Sequence, residues 1–100
     1  MNMDNILHKV YRKQPDIVFR EIAGEAILVP IRGELADMQR IFSLNPVAEY
    51  IWEKLDGEKA LTDIGRELTH VFEVPEEVAN ADLLEFMAQL SQASLVTEAE

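Results

Sequence analysis

Leu44-Asn45-Pro46-Val47-Ala48-Glu49-Tyr50-Ile51-Trp52-Glu53-Lys54-Leu55-Asp56-Gly57 is the stretch from which the fold of this chain can be read. Asparagine is a favoured residue just before a helix, where its side chain accepts a bond from an otherwise unpartnered N–H, and proline at the first helical position gives up no hydrogen bond. Val47, Ala48, Ile51, Trp52 and Leu55 then recur at helical spacing, and Gly57 is expected to supply the stop. On the N-terminal side, Ile41-Phe42-Ser43-Leu44 predicts a short strand, and residues 32–40, with Gly33 and mixed polarity, predict a loop. Further back, Ile17 to Ile22 and Ala26 to Ile31 are rich in β-branched residues and are separated by a short break containing Gly24, the pattern of a β-hairpin. Pro30 cannot donate to a ladder and is expected near a strand end or an edge.

On the C-terminal side, Thr62 is expected to cap a second helix with Leu61 as its staple and Ile64, Leu68, Val71 and Phe72 as its apolar set. Gly65 inside that helix costs about 1 kcal/mol relative to alanine, which predicts a close helix contact there. Pro75 opens a third helix with Glu76 and Glu77 in its first turn, where they complement the helix dipole. Its inward face is expected to be Val78 or Ala79, Leu83, Phe86, Met87 and Leu90, followed by a short extended tail at Ser94-Leu95-Val96 that packs on the core. Strands followed by three helices predict an α+β domain with the helices against one face of a small antiparallel sheet. The expected organisation is a flexible tail over residues 1–13, a single domain over residues 14–96 and a frayed end over residues 97–100.

With 100 residues, 48% of them apolar, the chain has material for one core and not two. It has no cysteine, so stability must come from that core and not from disulfides or thiolate metal sites. No stretch approaches the ~20 apolar residues that span a bilayer, and the N-terminus lacks the pattern of a signal peptide; the expectation is a cytoplasmic protein without membrane contact. The net charge of −10 is unevenly placed: residues 1–50 hold six Lys/Arg against seven Asp/Glu, residues 51–100 three against twelve. Beyond Arg66 there is no cation, a surface that repels a phosphate backbone, so nucleic acid is a poor partner and a basic peptide or protein face a better one.

Catalysis finds little support. His8 and His70 lie in different segments without spacing for a shared metal, and are read as a solvated tail residue and a half-exposed helix residue. Glu76, Glu77, Asp82 and Glu85 have the spacing of one solvated helix face, and the four glycines are too scattered to cradle a phosphate. The expectation is therefore a non-enzyme with no cofactor and no metal. A helix, short turn and helix at the C-terminal end also occur in DNA readers, yet the last helix here brings no arginine or lysine to a groove. Peptide capture fits better, because a small open sheet leaves an edge strand whose free N–H and C=O groups an extended segment can complete. Between such an edge and the third helix lies an expected groove with an apolar floor and an acidic rim.

The ordered series Leu44-Asn45-Pro46-Val47-Ala48, Ile51-Trp52, Leu55-Asp56-Gly57, Ile64, Leu68, Asp82, Phe86, and Leu90 to Leu95-Val96 resembles the PqqD family, whose members are the RiPP recognition elements. The resemblance runs from about Gln14 to Val96. It implies a winged helix-turn-helix fold, with a three-stranded antiparallel sheet followed by three helices, that binds the leader segment of a ribosomally synthesised precursor peptide. The resemblance further implies that the leader adds as a strand to the third strand, lies against the third helix, and is presented to a modifying enzyme, often of the radical SAM type. Carried over, the contacts are Arg40, Ile41, Phe42, Ser43 and Leu44 on the strand and Asp82, Phe86 and Gln89 on the helix, with Asn45 a structural N-cap. The segment 32–40 is longer, and the ending Ala93-Ser94-Leu95-Val96 less aromatic, than in the pyrroloquinoline quinone pathway protein, so the pathway stays open. A second reading is a protein–protein adaptor or regulatory winged-helix domain that does not bind DNA and uses its acidic third helix. Exposed edges also permit a homodimer formed by strand exchange.

Overall fold

The computed structural model describes residues 6–31 and 42–99. Strand β1 spans Val10–Lys13, β2 Ile17–Ile22, β3 Glu25–Pro30, β4 Phe42–Leu44, β5 Asp56–Ala60 and β6 Val96–Ala99. Helix α1 spans Pro46–Lys54, α2 Leu61–Val71 and α3 Glu76–Gln92. The strands form two antiparallel sheets of three, in the orders β2-β3-β4 and β5-β1-β6. The first is the sheet expected from the sequence; the second is an addition to it. Membership of β1 and β6 corrects the expected ends: Val10–Lys13 is a central strand, not part of a flexible tail, and Thr97 to Ala99 belong to a strand paired with it. No helix among the described residues is long and apolar enough to cross a membrane.

The β2–β3 hairpin closes through Ala23 and Gly24, with φ of 53° and 82°, and Ile22 faces Glu25. A turn with two positive φ values matches the right-handed strand twist, which is why the break is so short. Its register fixes the hydrogen-bond phase of the sheet. Pro30 pairs with Ile17 but has no N–H, and the Ile31 N–H donates to the Asp16 carbonyl at 2.9 Å. Bonded and non-bonded pairs alternate in an antiparallel ladder, so Ile27 and Val29 bond toward β2 while Ala26 and Leu28 bond toward β4. Across β3 and β4, Ala26 faces Leu44, Ile27 faces Ser43 and Leu28 faces Phe42. Phe42 and Leu44 are thus the bonded residues of β4, and the Ser43 N–H and C=O point outward from the sheet.

Helix α1 begins as expected: the Ala48 N–H donates to Asn45 Oδ1 at 2.8 Å, and Pro46 is the first helical residue. It ends at Lys54, before Gly57, which does not stop the helix. Gly57 instead lies inside β5 with φ +83°, where the register against β1 shifts, the form of a β-bulge. Asp56 builds the bulge by accepting the N–H groups of Glu58 at 2.9 Å and Lys59 at 3.0 Å on one carboxylate oxygen. Those two backbone donors, Glu58 first, hold the Asp56 carboxyl below the usual range. Strand β5 runs straight into α2, which starts at Leu61 and lacks the expected Thr62 cap; the Leu61 N–H is satisfied by the Lys9 carbonyl at 3.0 Å. Pro75 stands just before α3 as its capping residue.

One core joins these two sheets to these three helices. Leu28 and Leu44 meet Ile51, Trp52 and Leu55 of α1, Leu61, Ile64 and Leu68 around α2, Leu83, Phe86, Met87 and Leu90 of α3, and Leu95 and Val96. Each fully buried leucine or isoleucine contributes about 1.5–3 kcal/mol. Gly65 allows the expected close approach of α2 and α3: a Cβ there would stand 2.5 Å from Asn80 Oδ1 and 3.5 Å from Leu83. One position departs from the expected inward faces, Val71 at 53% exposure; of the alternatives Val78 and Ala79, Ala79 is the buried one. Val71 is the last residue of α2, and Phe72 follows as its capping residue. Phe72 packs edge-on against Tyr50, ring centres 5.9 Å apart. The Tyr50 hydroxyl donates to Glu67 and the Lys59 ammonium donates to the other Glu67 oxygen, each at 2.8 Å, clasping α1, α2 and β5 together. The Lys59 ammonium holds Glu67 below the usual carboxylate range, and donation to Glu67 raises the Tyr50 phenol.

Candidate functional site

Between β4, the start of α1 and the middle of α3 lies a groove of about 270 Å³. Ser43 and Asn45 form one wall, Val47, Ala48 and Ile51 come from α1, and Asp82, Glu85, Phe86 and Gln89 come from α3. The helical spacing of 82, 85, 86 and 89 puts those four side chains on one face of α3. Ile51, Ala48 and Phe86 are buried and make an apolar floor; Asp82, Glu85 and Gln89 are exposed and make the rim. Among the described residues, neither the Asp82 nor the Glu85 side chain has an ion pair or hydrogen bond. Among the described residues no strand pairs with the outer edge of β4, and that edge, with the outward Ser43 N–H and C=O, runs along this groove.

Of the residues singled out from the sequence, Ser43, Asp82, Phe86 and Gln89 come together on the groove. Phe42 is half-buried beneath it, its ring centre 6.2 Å from that of Phe86. The Leu44 side chain is in the core, which leaves it a backbone role in holding β4 to β3. Arg40 and Ile41 lie outside the described residues. Sequence reasoning missed Val47, Ala48 and Ile51, which the helical pattern marks only as core, and Glu85, which spacing from Asp82 and Phe86 places on the same face. Among the described residues no three His, Cys, Asp or Glu side chains gather where they could hold a metal ion. The arrangement has the parts to bind an extended chain by its backbone and alternate side chains.

A small α+β domain with a short open-edged strand over a helix-lined groove defines a class of peptide-accepting modules. The chain belongs to the family of the coenzyme PQQ synthesis protein D (PqqD), whose model matches residues 25–96. That match takes in β3 to α3 and the groove, and leaves β1 and β2 outside it. The fold is similar to that of TbiB1 in complex with the TbiA(beta) leader peptide, with TM-score 0.68 and 21% identity over 85% of this chain and 93% of that one. It is likewise similar to lasso peptide synthetase B1 complexed with the leader peptide, with TM-score 0.71 and 20% identity over 87% and 96%. A search of curated proteins gave no match.

Proposed function

We propose that this protein is a RiPP recognition element that binds the leader segment of a ribosomally synthesised precursor as an added strand on β4. The observation that carries the reading is the outward Ser43 N–H and C=O standing beside the groove under Phe86. A peptide residue placed opposite Ser43 exchanges two ladder bonds with it, each worth a net ~0.5–1.5 kcal/mol. Its two neighbours in the peptide turn their side chains to the helix side, onto Ile51 and Phe86, because side chains alternate along a strand. The support from relatives is that two proteins of this fold are known as complexes with leader peptides.

The contacts assigned to the peptide are residues 40–44, of which Ser43 offers the outward N–H and C=O while Phe42 and Leu44 hold β4 to β3, and the side chains of Asp82, Phe86 and Gln89. The protein binds and releases its peptide unchanged and acts in the cytoplasm, where such precursors are made, presenting the leader to a separate modifying enzyme of the radical SAM type. Backbone amide NMR of the labelled protein, titrated with synthetic leader segments from short reading frames adjoining its gene, tests this. Shifts clustered on residues 42–44 and 82–89 are expected. If saturating peptide moves nothing there while a folded partner shifts the α3 surface, the module is an adaptor and the leader-peptide reading is wrong.

A further inference from the structure

Resting on that reading, we propose that the segment seated in the groove carries a lysine or arginine two positions away from an apolar residue, selected by Asp82 and Glu85. The spacing follows from the sheet. Ser43 faces Ile27, whereas Phe42 and Leu44 share the helix side of the sheet with Leu28. A peptide residue paired with Ser43 therefore points away from the helices, and the residues just before and just after it point into the groove. Those two side chains, two positions apart, are the ones that meet the floor and the rim.

The floor is apolar and takes one of them. The rim is anionic and unneutralised: α3 contains Glu76, Glu77, Asp82 and Glu85 and no cation. Among the described residues, Lys9 pairs with Glu98, Lys59 with Glu67 and Arg66 with Asp63, and none of these three faces Asp82 or Glu85. Lys13 and Lys54 lie over the rings of Trp52 and Tyr50. Asp82 and Glu85 stand one helical turn apart on the groove face, so one cation can face both. An anionic segment would be repelled by the same pair and by a net charge of −10. The carboxylates are exposed, so their contribution is selective more than tight.

The test is selection of a phage-displayed library of random linear dodecapeptides on the full chain and, in parallel, on the Asp82→Asn/Glu85→Gln double variant. Both side chains are exposed, so the variant is expected to fold, which its thermal melt verifies. The wild-type pool should become enriched in Lys or Arg two positions from an apolar residue. A winning peptide, made synthetically, should shift the Ser43 and Phe86 amides and bind the variant about three- to tenfold more weakly. Peptides that shift those amides yet show no basic preference, or bind the variant equally well, overturn the charge inference and leave strand addition standing. A selection in which no peptide moves the groove amides sinks both.

Discussion

Replacing Ser43 with proline should leave the free protein folded while removing most of its affinity for an extended segment. The phase of the β2-β3-β4 sheet, set by Pro30 opposite Ile17 and by the Ile31 to Asp16 bond, turns the Ser43 N–H away from β3. Proline there breaks no bond of the native ladder, as expected for edge strands whose N–H faces outward. The strand conformation of Phe42 is compatible with a following proline. The cost to the free domain should stay below about 1 kcal/mol, against ~1–3 kcal/mol if the N–H were paired and its loss stranded a buried carbonyl. In the complex the peptide carbonyl opposite Ser43 does lose its donor, and the same ~1–3 kcal/mol falls on binding, about five- to 150-fold in Kd. Urea unfolding gives the first quantity and calorimetric titration with a groove-binding peptide the second. Amide hydrogen exchange adds an independent check: Phe42 and Leu44 should be protected in the free protein, and Ser43 only when peptide is bound. A Ser43→Pro protein destabilised by the larger amount, or a Ser43 amide already protected without peptide, would refute the assigned phase and the binding edge with it.

Deleting residues 1–13 should lower stability by more than about 3 kcal/mol by urea unfolding, since ladder bonds from β1 to both β5 and β6 vanish at ~1 kcal/mol each; an unchanged midpoint would restore the flexible-tail reading. Asn45→Ala should cost about 1 kcal/mol through loss of the bond from the Ala48 N–H, with the m-value unchanged. The Glu67 clasp predicts a pH dependence: its folded pKa lies below the ordinary 4.5, so its contribution is complete above that value and disappears as pH falls through the folded pKa. Glu67→Gln should flatten the acid limb of the stability profile, and an unaltered limb would show that the Lys59 pairing contributes nothing to it.

The parts legible in the sequence are those whose signal is local. Asn45-Pro46 states a helix start in chemistry that acts within a few residues, and the hairpin of β2 and β3 is set by β-branched runs around a glycine turn. Gly65 announced a close helix contact because a glycine inside a helix has an evident cost. The groove face of α3 was half legible, since the spacing of Asp82, Phe86 and Gln89 marks one face but not what it faces.

By itself, then, the sequence determined the hairpin, the three helices, a single core, an anionic C-terminal half and the family. Tertiary structure alone decided the second sheet. Asp56-Gly57-Glu58-Lys59-Ala60 has residues that strands disfavour, and it is extended because β1, distant in sequence, supplies its ladder. For the same reason Gly57 serves a bulge and not a helix stop, and α2 begins at Leu61 with its N–H bonded to Lys9. The groove, too, exists only once β4, α1 and α3 converge: whether Ser43 bonds inward or outward depends on the register of the β2–β3 pair, whose Ile27 lies sixteen residues before it in sequence. Local preference fixes what each segment can become, and long-range pairing fixes which of its groups remain open to a partner.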